Sequence, residues 1–154
     1  MSTRAIQYLK QKMIPFEVVR YDHAEKGARF AASATGYRLE ATVKTLVVDL
    51  GDKRYSLVLM PGDKRLSMKR LAKVCGVKRA AMVDIPTAER ITGYLVGGIS
   101  PFGIRRKIPV VMDEGVLEFA KILVNAGQRG AMLMMDPIDI KKALACKVAK
   151  VAGS

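Results

Sequence analysis

Histidine is nearly absent from this chain, and that excludes more chemistry than any other scarcity in it. His23 is the single one. A Ser-His-Asp or Cys-His hydrolase would need it as its base. It follows a strand-like run in Tyr21-Asp22-His23, where a solvated loop side chain and a catalytic base are both open readings. Cysteine is almost as rare. Cys75 and Cys146 lie far apart in the sequence. They offer no disulfide framework and no paired metal-ligand spacing, so zinc is poorly supported and a reducing, cytoplasmic setting is expected. Tryptophan is missing altogether. No apolar run approaches the roughly 20 residues that cross a bilayer, and the opening MSTRAIQYLK has no apolar stretch before a small-residue cleavage site. There is neither a GxxxxGK[ST] phosphate loop nor a GxGxxG fingerprint after a strand.

Acidic residues are also few, and their shortage shapes the rest. Fourteen Asp and Glu stand against 27 Lys and Arg, a formal net charge of +13. A field of that sign gathers polyanions, with nucleic acid the leading partner and anionic lipid a weaker one. The 154 residues contain no repeat, low-complexity tract or Pro/Ser-rich linker, so residues 1–154 are expected to form one domain with one substantial core.

Local signals place the elements. Thr3 caps a helix to about Lys12, with Ala5, Ile6, Leu9 and Met13 on one face, and Pro15 ends it. Phe16 to Tyr21 reads as a strand, and Ala28 to Thr35 as a short helix stopped by Gly36. Thr45 to Leu50 and Tyr55 to Met60 form a hairpin about Gly51-Asp52. Ser67 caps a helix to Cys75, with Gly76 as its stop. Thr87 caps another, closed by Gly93. Ile108 to Met112 is a strand. Lys121 to Asn125 and Ala131 to Met135 form a second hairpin. Asp136-Pro137 starts a final helix predicted to run to about Val151. Strands mix with helices without a regular βαβ beat, so the expected class is mixed α/β: a mixed sheet covered by helices and curled toward a barrel.

Two segments carry possible chemistry. Gly93-Tyr94-Leu95-Val96-Gly97-Gly98-Ile99-Ser100-Pro101-Phe102-Gly103 packs four glycines and a proline into one bend. Its main-chain N–H groups can hold a carbonyl oxygen as it becomes an oxyanion, and Ser100 adds a hydroxyl; a plain turn is the other reading. Lys44, one residue before the predicted strand, either points into a cleft to hold a phosphate or carboxylate, or is a solvated strand-end lysine. Basic clusters at Lys64, Arg65, Lys69, Arg70 and Lys73, and at Arg105, Arg106 and Lys107 beside the glycine bend, are phosphate grips or solvated faces. Met132, Met134 and Met135 read as core filling, and Cys75 as a packing residue.

Taken together, the segment Thr87 to Phe102-Gly103, the run Val43-Lys44-Thr45-Leu46, the Tyr21-Asp22-His23 segment and Gly127-Gln128-Arg129-Gly130 resemble the YbaK proteins, relatives of the editing domain inserted in bacterial prolyl-tRNA synthetases. The resemblance runs along essentially the whole chain in order. It implies a barrel-like mixed-sheet fold surrounded by helices, and trans-editing: hydrolysis of the ester of a misacylated tRNA, without cofactor, metal or membrane. It implies that Lys44 contacts the tRNA end and that the Gly97, Gly98, Ile99 and Ser100 loop holds the aminoacyl carbonyl. Tyr21, with His23, Phe30, Pro101, Arg105 and Arg106, is expected to line or approach the substrate, and an aminoacyl-tRNA synthetase is a possible partner. The family's best-known members remove cysteine from proline-specific tRNA. They carry an aspartate two residues after the Arg-Gly of the late hairpin, where this chain has Met132, so a different small amino acid stays open. A non-catalytic tRNA-binding module and a binder or hydrolase of small phosphate-bearing molecules are the rival readings. Equal binding without ester cleavage would mark the first, and salt-insensitive RNA binding the second.

Overall fold

The computed structural model describes residues 2–22 and 27–153. Helix α1, Arg4–Gln11, starts where Thr3 Oγ1 accepts the Ile6 N–H at 3.2 Å, and it buries Ala5, Ile6 and Leu9. Met13 does not join that face. It lies past the helix end with φ 56° and is 88% exposed. Strand β1, Glu17–Arg20, and helix α2, Ala28–Thr35, follow, the helix ending at Gly36 with φ 75°.

Strand β2, Val43–Gly51, and β3, Arg54–Pro61, pair antiparallel along their length. Asp52 and Lys53 between them both have positive φ, 53° and 59°, as a two-residue hairpin turn of the primed type requires. Next come β4 (Arg65–Leu66), α3 (Met68–Cys75) and β5 (Ala81–Met82). Ser67 Oγ accepts the Arg70 N–H, and Gly76, φ 69°, stops α3.

Helix α4 runs Ile85–Thr92 and begins earlier than the Thr87 cap predicts. Asp84 Oδ1 accepts the Thr87 N–H at 2.9 Å, and Pro86 occupies the first turn, where its missing donor costs nothing. Strands β6 (Val110–Asp113), β7 (Ile122–Asn125) and β8 (Ala131–Met135) follow. The final helix, α5, spans only Pro137–Ala143. Ala145 turns to φ 48°, and the chain then forms β9 (Lys147–Ala149) and β10 (Ala152–Gly153) instead of helix to Val151. The buried Asp113 carboxylate fixes that path: its Oδ1 accepts the Val151 and Ala152 N–H groups at 3.0 and 2.9 Å.

The strands form a five-stranded sheet in order β5-β2-β3-β6-β9, a three-stranded sheet β1-β8-β7 and a small pair β10-β4. The β3-β6 and β6-β9 pairs are parallel and the others antiparallel, so the mixed α/β class holds. The sheets do not close into a barrel. They meet at one parallel bridge, Thr42 to Leu123. β5 covers β2 only at Val48 and Asp49, so the Val43–Leu46 edge of β2 is left unpaired by β5. The main core lies between the two larger sheets and gathers Leu57, Leu59, Met112, Ile122 and Leu133 with Phe102. Among the described residues, no helix is long and apolar enough to cross a membrane.

Candidate active-site cleft

That open edge of β2 forms one wall of a cleft of about 290 Å³. Val43, Lys44, Thr45 and Leu46 lie along it; Tyr21 and α2, through Ala28 and Ala31, form a second wall. The glycine bend contributes Val96, Gly97 and Ile99, and the β7-β8 hairpin supplies Asn125 and Met132. A lysine from a strand and main-chain groups from a bend some fifty residues later therefore share one cleft.

Lys44 is the second residue of β2, not a residue before the strand. It is partly buried, and its Nζ donates to the Lys64 carbonyl at 2.5 Å. Burial pushes its pKa down; Asp63 opposes this, while the Arg65 and Arg29 charges add to it. The ammonium is thus destabilised chiefly by burial, which an anion bound beside it would offset.

The bend is held from two sides at Val96. Its N–H donates to Glu89 Oε2 of α4 at 2.8 Å, and its carbonyl accepts both Nε and NH2 of Arg129 at 2.9 and 2.7 Å. Below it, Tyr94 is buried with its hydroxyl on the Phe102 carbonyl, and the Arg4 guanidinium lies 5.5 Å from its ring. Gly97 has φ 98°, a conformation that favours glycine. Gly98 is required for a different reason: a Cβ there would lie 2.9 Å from the backbone of Gln128 and Arg129. The late hairpin is thus seated directly on the bend.

These contacts separate the expected loop residues. Gly97 and Ile99 line the cleft, and their amides have no hydrogen-bond partner among the described residues. Gly98 faces the hairpin, and its N–H is already donated to the Leu95 carbonyl at 2.9 Å, so it is not a free donor. Ser100 is completely buried, and its Oγ accepts the Phe102 N–H at 3.3 Å; its hydroxyl stabilises the turn rather than facing the cleft. Pro101 is buried in the same way. Phe30 stands behind the wall, with its ring centroid 6.3 Å from that of Tyr21. Arg105 and Arg106 are exposed and do not line this cleft. Arg106 stacks over Tyr55 at 5.3 Å and donates to the Lys53 carbonyl at 3.3 Å, beside a different groove. His23 lies outside the described residues.

Two further residues of the cleft carry no motif of their own in the sequence. Thr45 Oγ1 is buried without any hydrogen-bond partner among the described residues, and its residue lines the cleft. Asn125 brings an amide to the same space. A buried hydroxyl without a partner is a cost to the fold. Met132 fills the core, as its apolar side chain predicts. It is 1% exposed yet also forms part of the cleft wall, which is therefore apolar on the β8 side. Among the described lining residues there is no carboxylate, imidazole or thiol. Cys75 and Cys146 are elsewhere, and burial raises both thiols, Cys146 to about 11.

The molecule is thus a mixed α/β protein in which a strand lysine and main-chain amides without partners among the described residues line one mostly apolar cleft. The family follows from comparison. The model of the aminoacyl-tRNA editing domain matches residues 24–143, and the chain belongs to that family. It is 31% identical over 138 residues to EbsC of Enterococcus faecalis, a candidate Cys-tRNA(Pro)/Cys-tRNA(Cys) deacylase, covering 88% of this chain and 84% of that protein. It is 26% identical over 140 residues to the multifunctional Ser/Thr-tRNA deacylase ProXp-y of Escherichia coli K12, covering 88% and 83%. The crystal structure of a candidate trans-editing enzyme for prolyl tRNA synthetase superposes with a TM-score of 0.89 at 24% identity, covering 98% and 96%, and shows the shared fold.

Proposed function

We propose that this cleft receives the 3′ end of a misacylated tRNA and that the aminoacyl ester is hydrolysed there in trans. Ester hydrolysis of misacylated tRNA is the editing activity of the family to which the chain belongs. In this reading Lys44 holds a phosphate of the terminal nucleotide, and the Gly97 and Ile99 amides polarise the carbonyl. Tyr21, backed by Phe30, shapes the space for the amino-acid side chain. A water oxygen adds to the carbonyl carbon, the bond to the ribose oxygen breaks, and that oxygen leaves with a proton. An aminoacyl ester is already activated, so orientation plus oxyanion donors can suffice without a protein nucleophile.

The observation that carries the reading is the convergence of Lys44 with Gly97 and Ile99 on one cleft. The cleft is small and mostly apolar, which suits a small, uncharged amino acid; with Met132 in its wall, no carboxylate on that side selects a substrate thiol or ammonium. The two sheets, bridged at Thr42 and Leu123, are read as a curled, barrel-like wall about it. The chain is read as one editing domain acting in the cytoplasm, with a synthetase as its functional neighbour.

The test is to incubate the protein with a panel of mischarged tRNAs and follow release of each amino acid. Lys44→Ala should lower deacylation at least about 100-fold while the circular dichroism spectrum is unchanged. Near-normal turnover by that variant, or binding of every tRNA without cleavage of any, would overturn the assignment.

A further inference from the structure

A second groove, of about 740 Å³, lies at the far end of β2 and β3 and has no part in the cleft chemistry. Its charged lining residues are all cationic: Lys53, Arg54, Arg106, Lys107 and Lys147. No acidic side chain lines it among the described residues. Two of these cations are held in place. The Arg106 guanidinium sits over the Tyr55 ring and bonds the Lys53 carbonyl. Lys147 Nζ donates to the Val74 carbonyl at 2.9 Å. Lys53 is also fixed at its backbone, since it is the second residue of the tight β2-β3 turn, and Arg54 follows it directly. Between the cations the floor is apolar and aromatic, with Tyr55, Ile108 and Pro109.

We infer that this groove binds the sugar–phosphate backbone of the tRNA acceptor arm. The inference rests on the deacylase reading and extends it from the acyl group to the body of the substrate. Several cations from three chain segments, unopposed by acid, match a run of phosphates better than a single anion. The apolar and aromatic floor, with a guanidinium on a ring, suits ribose and base faces. Reach also fits. Thr45 in the cleft and Leu50 at the groove are five residues apart on β2, about 17 Å at the strand rise. That is a span of a few nucleotides, so one acceptor arm can reach from the cleft to the groove.

The experiment compares wild type with Lys53→Ala/Arg54→Ala/Lys147→Ala on two substrates, a full-length misacylated tRNA and the 3′-aminoacyl ester of adenosine. The variant should bind tRNA about 10- to 100-fold more weakly at low salt. Its plot of log affinity against log salt should be shallower by about 2 to 3, at roughly 0.7 to 0.9 per lost phosphate contact. Hydrolysis of the short ester should be unchanged. Wild-type tRNA affinity and salt slope in the variant would overturn the inference, and so would an equal loss on both substrates. A wild-type protein that cleaves neither substrate would defeat the deacylase reading alone, because the tRNA-binding comparison still tests the groove.

Discussion

Lys44 shows how one side chain can be tuned without an acid–base partner. Burial is the largest influence on it and disfavours the ammonium; Asp63 partly restores the charge, and Arg65 and Arg29 oppose it. The cation therefore exists below a pKa that lies under the usual lysine value of about 10.4 and is lost above it. Deacylation that depends on the cation should fall on an alkaline limb earlier than a free lysine would give. Lys44→Arg, charged throughout that range, should move the limb out of reach in a pH profile of kcat/KM. An unmoved limb would detach it from this residue. Stability has the opposite sense: the folded state holds this proton less tightly than the unfolded chain, so the residue's contribution improves as pH rises through the depressed value. Thr45 offers a second test at this scale. Its hydroxyl has no partner among the described residues, so Thr45→Val should keep the melting temperature, or raise stability by up to about 1 kcal/mol, while lowering kcat/KM for esters. A variant that loses both would show the hydroxyl to be a structural group.

At the scale of elements, the glycine bend works because other elements clamp it. Arg129 from the β7-β8 connection gives two hydrogen bonds to the Val96 carbonyl, while α4 holds the Val96 amide through Glu89. Arg129→Ala should cut kcat about tenfold or more through misplacement of Gly97 and Ile99, with a smaller effect on short-ester KM. A change in KM alone would argue against positioning. Elements specified by neighbouring residues were legible from the sequence: Thr3, Ser67 and Asp136 as caps, and Gly36, Gly76 and Gly93 as stops. Thr87 carries a cap signal of its own, but Asp84 with Pro86 starts the helix three residues earlier. A distant group decides the path after α5, where Asp113 takes the Val151 and Ala152 amides and β9 pairs with β6. The parallel pairing of β3, β6 and β9 leaves no periodic trace in any one segment. Lys44, Gly97, Ile99 and Tyr21, which motif and resemblance single out, line one cleft. The orientations of Gly98 and Ser100 are not legible in the same way, because the direction of an N–H or hydroxyl is set by partners that the sequence does not reveal.

Across the whole molecule, charge lends the fold little support. The net charge is +13, yet among the described residues only one ion pair forms, Arg38 with Glu40 at 3.4 Å, and both side chains are exposed. Such a pair contributes little. The fold is held by its apolar core and main-chain bonding, and the excess cations mostly repel one another. Salt should then act on folding and on substrate binding with opposite signs. Raising ionic strength from about 0.01 to 0.1 M shortens the screening length from about 30 to about 10 Å. Screened self-repulsion should leave the melting temperature unchanged or raise it by a few degrees. The same change should weaken tRNA binding steeply, because the ions released from the phosphates return at a higher concentration. Thermal melts and tRNA-binding isotherms across one salt series check both arms. A melting temperature that falls with salt would mean that ion pairs hold the fold after all. Salt-independent tRNA binding would mean that the positive surface, including the groove beside Tyr55, does not meet the phosphates.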